Sequence, residues 1–285
     1  MNIAATISSK NRRWIGFKAN RLAVAGAIIL LLLITSAVFF PLISSYTYDE
    51  IDLSIKNQPP SFSHWFGTDD LGRDLFVRVW YGARISLFIG VMAGLIDLFI
   101  GSLWGGVAAL IGGKVDEMMM RFADILYSIP SLLIIISMMV VLGPGLHTIL
   151  ISMAVLGWIT MARVVRGQLL QIKQQGYVLA AYALGAGFWR ILLRHLLPNA
   201  LGPIIVTLTL TIPSAIFTEA FLSYLGLGVQ VPIASWGTMA NEGVAALNYY
   251  PWRLFFPTGF ICLTILAFNL LGDGLSDAYE YGSHR

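Results

Sequence analysis

An all-α integral membrane protein with six transmembrane helices is the fold class this chain predicts, and three observations predict it. Hydrophobic residues make up 57% of its 285 residues and charged residues 12%, with a mean hydropathy of +0.77, a balance too apolar for a soluble domain. Six stretches approach the roughly 20 apolar residues that a helix needs to cross hydrocarbon. Lysine and arginine collect on one side of that arrangement.

The first span is Leu22–Ile43, longer than the roughly 7–15-residue core of a signal peptide and without a persuasive cleavage site after it, so it reads as a retained helix. Ahead of it, Asn11 to Arg21 is basic with two aromatics, which suits a positively charged interfacial anchor on the inner leaflet. An outer loop from Ser44 to Gly82 follows, polar and acidic, broken by Pro59-Pro60. The second span, Ile85–Ile111, carries Gly90, Gly94, Gly101 and Gly105, two small-xxx-small pairs that mark a packing helix. Gly112-Gly113 ends it, and a short charged inner loop leads to the third span, Ile125–Leu142, kinked by Pro130. Gly143-Pro144-Gly145 is long enough only for a turn, so the fourth span, Thr148–Val165, is its antiparallel neighbour. The fifth and sixth spans are Ala200–Leu225 and Leu254–Leu271, with an outer loop from Gly226 to Arg253 between them.

With the N-terminus inside, thirteen Lys and Arg residues fall in cytoplasmic segments and five (Lys56, Arg73, Arg78, Arg84, Arg253) outside, which favours both termini in the cytoplasm. The net charge of +3 is explained by that placement and does not call for nucleic acid. A single cysteine, Cys262, excludes an intrachain disulfide. Catalytic and cofactor sites are not legible. Gly113-Lys114-Val115 lacks the earlier glycine and the following hydroxyl of a phosphate loop, and four scattered histidines offer no metal spacing. No serine, histidine and acid arrangement suggests an enzyme.

Two intramembrane carboxyls are candidate polar sites. Asp97 lies near the middle of the second span, where a charge is expensive; it reads either as a group on a solute path or as a protonated or hydrogen-bonded carboxyl inside the bundle. Glu219 lies near the outer end of the fifth span, within reach of interfacial water, and reads as a bundle or loop anchor with a possible part in an outer gate.

The segment Gly176–Asn199 is the most informative. It reads as two short amphipathic helices joined at Gly185 and Gly187, held on the cytoplasmic side and closed by Pro198. Phe188, Trp189, Ile191, Leu192, Leu193, Leu196 and Leu197 form the apolar face, with Arg190 and Arg194 four apart on the other side. The residues allow two readings. One is an interfacial helix packed beneath the bundle; the other is an element gripped by a cytoplasmic partner that passes motion to the spans on either side.

This segment resembles the EAA loop of permease subunits of ATP-binding-cassette importers. Ala180 and Ala181 match the two alanines, Gly185 the glycine and Leu197-Pro198 the end of the pattern, while Leu179 stands at the glutamate and His195 at an aliphatic position. Phe66–Asp74, Tyr81–Leu87, Ser223–Gln230, Ser235-Trp236-Gly237 and Asn269–Leu275 are similar, in order, to the C-type permease of dipeptide, oligopeptide and nickel importers.

The resemblance implies a type I importer permease core with an EAA coupling helix. Residues 1–83 would form an N-terminal basic segment, first helix and extracytoplasmic loop, and residues 84–285 a five-helix permease core with the EAA loop at 176–199. It implies a bacterial inner-membrane subunit without catalytic activity of its own. Its partners would be a homologous B-type permease, two ATP-binding subunits and an extracytoplasmic solute-binding protein. Tyr177, Ala180, Ala181, Gly185, Arg190, Arg194, His195, Leu197 and Pro198 would then face the ATPase. Dipeptides or oligopeptides are the solutes implied, with nickel chelates or glutathione-like solutes as alternatives. A self-sufficient secondary transporter would instead call for charged relays and an inverted repeat, and neither is evident.

Overall fold

The computed structural model describes residues 16–18, 20–230 and 232–283. Residues 11–15 and 19 of the expected interfacial anchor, together with Lys10 and Arg285, lie outside the described residues. The described chain is helical throughout its ordered elements, with one isolated antiparallel bridge between Thr68 and Asp74.

Helix α1 (Arg21–Ile43) begins where the Asn20 side chain accepts from the amides of Leu22 and Ala23, and it buries Ala23, Gly26, Leu30, Leu33 and Ala37. That three-four spacing is a single stripe, and the remaining faces are free for lipid. Pro41 cannot donate to the oxygen of Ala37. Arg84 from the next helix supplies the donor, Nε to Ala37 O at 2.6 Å and Nη2 to Val38 O at 2.7 Å.

Helix α2 (Leu75–Ile111) starts ten residues before the expected second span because Asp74 caps it, accepting from Val77 N, and because Arg78 and Arg84 find protein partners instead of ending the helix. It is the central post. Gly90 and Gly94 sit against Ile212 and Ile216 of α9 (Leu201–Tyr224), while Gly101 and Gly105 sit against Met161 and Ala162 of α6 (Trp158–Ile172). The two small-residue pairs therefore serve two different neighbours.

The expected third span is corrected. The charged inner loop is itself a helix, α3 (Gly113–Tyr127), and only α4 (Ser131–Leu142) continues, bent by 77° from it at Ser128–Pro130. Twelve residues in α4 rise about 18 Å, short of the ~30 Å hydrocarbon core, so this span exists only as the broken pair. Helix α5 (Leu146–Leu156) passes through Gly157 into α6, and the two form one span, Leu146–Ile172. Among the described residues five helices are long and apolar enough to cross alone, and the bent pair, counted as one span, brings the number to six.

The outer loops are also more structured than expected. Residues 226–253 contain α10 (Trp236–Ala246), started by a Ser235/Thr238 capping box, before α11 (Trp252–Ser283). The first outer loop is fastened onto these elements by charge. Asp69 accepts from the amides of Leu71 and Arg73 and from Arg73 Nε, Arg78 reaches Glu242 at 3.1 Å, and Arg253 reaches Asp70 at 2.9 Å. The arginines counted as outer charges are thus largely ion-paired within the fold.

Candidate functional site

The segment joining α6 to α9 folds as α7 (Gly176–Ala183), a turn, α8 (Phe188–Ile191), a π-turn over Leu192–Leu196 and a 3-10 turn over Leu197–Asn199. The turn is a Schellman motif. Ala186 N donates to Ala181 O, Gly185 N donates to Tyr182 O, and Gly185 has φ +77°. Gly187, at φ −69°, is ordinary backbone, so the change of direction rests on Gly185 alone.

One side of this segment is locked to the bundle. Val178, Ile191, Leu192, Leu196 and Ala200 are fully buried among Ala109, Leu110, Val165, Leu169 and Ile172, toward the C-terminal ends of α2 and α6. Trp189 and Leu193, assigned to the same apolar face from their spacing, are instead more than half exposed, at 58% and 52%. Trp189 and Leu193, four residues apart, share a side of the helix rotated away from the buried stripe of Phe188, Ile191 and Leu192, so local helical spacing turns them outward. Beyond Ile191 a π-turn, closed by a hydrogen bond from Leu197 N to Leu192 O, takes in one extra residue. The wider turn also accommodates Pro198, which has no amide to donate.

The other side is a crest of exposed side chains. Tyr177, Leu179, Tyr182, Leu184, Trp189 and Leu193 are exposed, together with Arg190 and Arg194. Ala180, Gly185 and Pro198 lie on this exposed side, and Ala181, His195 and Leu197 are half-buried at its margin. Partial burial pushes the Tyr182 phenol up. Leu179, at the expected glutamate position, projects from the crest, so the surface carries an apolar group where a carboxylate is usual in the pattern. Apolar and aromatic groups ringed by two arginines form a surface suited to a protein cleft.

The intramembrane carboxyls are not part of this surface. Asp97 is 5% exposed, stands over Gly157 where α5 meets α6, and has no hydrogen bond or ion pair among the described residues. Glu219 is fully buried and out of reach of interfacial water: it accepts from Ser86 Oγ at 3.0 Å and Ser223 Oγ at 2.8 Å. Trp236 N donates in turn to Ser86 Oγ, which ties α2, α9 and α10 together.

Sequence reasoning used Arg163, Arg166 and Lys173 only to orient the chain. In the fold they are fasteners beside the crest. Arg166 grips Asp116 through Nε and Nη2, Arg163 reaches Asp124 at 2.7 Å, and Lys173 Nζ donates to Ala109 O and Leu110 O at the end of α2. Their spacing along one helix, opposite Asp116 and Asp124, was a signal available in the sequence.

Residues 98–282 match the family model described as the binding-protein-dependent transport system inner membrane component, and residues 11–60 match that of the N-terminal TM domain of oligopeptide transport permease C. The chain is 60% identical to the oligopeptide transport system permease protein OppC of Bacillus subtilis, over 93% of this chain and 87% of that protein. It is 55% identical to the dipeptide transport system permease protein DppC of the same organism, over 96% and 86%. It is 41% identical to OppC of Escherichia coli K12, over 93% and 88%. Among solved structures, an inward-facing form of the MetNI methionine ABC transporter matches with a TM-score of 0.57 at 20% identity, covering 69% of this chain and 93% of that one, a likeness of fold.

Proposed function

This chain belongs to the family of binding-protein-dependent transport system inner membrane components, and from that premise we propose that it forms half of the translocation pore of an ATP-driven importer of dipeptides or oligopeptides. The other half is a homologous B-type permease. Two cytoplasmic ATPases engage the crest at 176–199, and an extracytoplasmic binding protein delivers the solute. Both termini face the cytoplasm of a bacterial inner membrane. Residues 84–285 are the transport core and residues 1–83 an accessory segment, joined to it through α2, which is continuous from Leu75.

The observation that carries this reading is the two-faced segment itself: one side fully buried against α2 and α6, the other presenting Tyr177, Leu184, Trp189, Arg190 and Arg194 outward. A surface of this kind, fixed to the ends of two spans, hands a partner's displacement to the bundle without being absorbed by a flexible linker. Peptide is favoured as solute by the relatives of highest identity quoted above, whose names state oligopeptide and dipeptide transport.

The test is reconstitution of this chain with its permease partner and both ATPases in vesicles. Peptide-loaded binding protein is expected to stimulate ATP hydrolysis and drive peptide inward. Uptake by this chain alone, powered by an ion gradient, would overturn the assignment.

A further inference from the structure

We propose that Arg166 is a positioning residue that makes the coupling segment, α6 and α3 move as one body, so that ATPase motion reaches the elbow of the broken third span; this rests on the coupling role proposed above. Arg163 and Arg166 project from one side of α6, and Lys173 caps its end, where the chain runs directly into that segment. Arg166 forms a two-pronged ion pair with Asp116, at 2.5 Å from Nε to Oδ1 and 2.6 Å from Nη2 to Oδ2. Its acid is buried, at 7% exposure, which sets this pair apart from the solvent-washed pairs that contribute little.

The pair does not act alone. Arg163 bonds Asp124 and lies 4.4 Å above the Tyr127 ring, Trp104 Nε1 donates to Met119 O at 3.3 Å, and Ala123 is fully buried with Trp158, Ile159 and Ala162. Helix α3 is therefore tied at 116, 119, 123, 124 and 127, along its whole length. Lys173 fastens the end of α2 to the same body. Beyond Tyr127 the chain turns by 77° at Ser128–Pro130, where α4 departs from the tied body. Displacement of the crest has its first free joint there.

In the assembled, reconstituted importer, Arg166→Ala is expected to reduce the stimulation of ATP hydrolysis by loaded binding protein about fivefold or more, with unstimulated hydrolysis unchanged. The exchange Asp116→Arg with Arg166→Asp is expected to recover about half of it. Spin labels at Met118 and Ala183, in a Cys262→Ser background, are expected to hold one distance with and without ATP, and to lose it in Arg166→Ala. Stimulation within about twofold of the unaltered chain, or a label distance that changes with nucleotide while Arg166 is intact, overturns the proposal. Should Arg166→Ala fail to assemble, Arg166→Lys decides by the same readouts, since it keeps the charge and loses the fork. Gly185→Pro is measured alongside. Stimulation that survives it removes the coupling role of the segment, whereas loss there with none in Arg166→Ala removes only the clamp.

Discussion

Glu219 accepts a hydrogen bond from Ser86 across the interface of α9 and α2, at 3.0 Å and with no exposure to solvent. Ser223 donates to the other oxygen at 2.8 Å. A carboxyl in this setting serves as a shared acceptor whose loss strands two buried hydroxyls.

Glu219→Ala is accordingly expected to destabilise the fold by about 1–3 kcal/mol, since each stranded hydroxyl costs about that much and one of the two relaxes toward other acceptors. Glu219→Gln keeps one acceptor oxygen and is expected to cost less. Thermal unfolding of the purified complex, followed by intrinsic tryptophan fluorescence, checks the order.

Arg84 and Pro41 form a second such relationship. Arg84→Ala removes the donors to Ala37 O and Val38 O and is expected to destabilise α1 docking by about 1–3 kcal/mol. Pro41→Ala restores an amide able to reach Ala37 O, so the double variant is expected to recover part of the loss. Protease cleavage in the loop after α1 reports the docking; equal cleavage in the single and double variants would refute the link.

The contact of α2 with α6 depends on Gly105, where a Cβ would fall onto the main-chain oxygen of Ala162. Gly105→Ala is expected to force the helices apart and lower the yield of folded protein. Gly259→Ala, in α11 with open space around it, is expected to be neutral. Size-exclusion profiles of the two variants separate these outcomes.

At Gly185 the constraint is φ, because the surrounding space is empty. Gly185→Ala is expected to cost about 1 kcal/mol locally and to re-aim the crest. Membrane insertion stays normal while ATP hydrolysis stimulated by loaded binding protein falls. Undiminished stimulation in this variant would detach the turn from function.

Asp97 packs over Gly157 without a polar partner among the described residues. Asp97→Asn preserves its shape and is expected to leave peptide uptake largely unchanged across external pH. A loss confined to one pH range would place this carboxyl on the solute path instead.

What the sequence determined by itself was where the chain meets lipid, and where it turns. Runs of Leu, Ile and Val set the span positions, Gly185 marked the reversal inside the segment at 176–199, and Pro198 marked its end, because hydropathy and backbone restriction are properties of residues close together in the chain. The ends of α2 and of α11 were missed for a related reason. Polar residues such as Arg78 and Asp277 stop an apolar run on paper, but a folded partner, Glu242 for one and Asn20 for the other, lets the helix continue. Only the tertiary structure decided that Arg166 belongs to Asp116 and Ser86 to Glu219, partners 50 and 133 residues apart. It also decided which part of the apolar face is covered: Ile191, Leu192 and Leu196 pack on α2 and α6, while Trp189 and Leu193 on the adjoining side stay exposed. Charge pairing and helix register at such a junction are settled by which surfaces meet in space, and no local pattern carries that information.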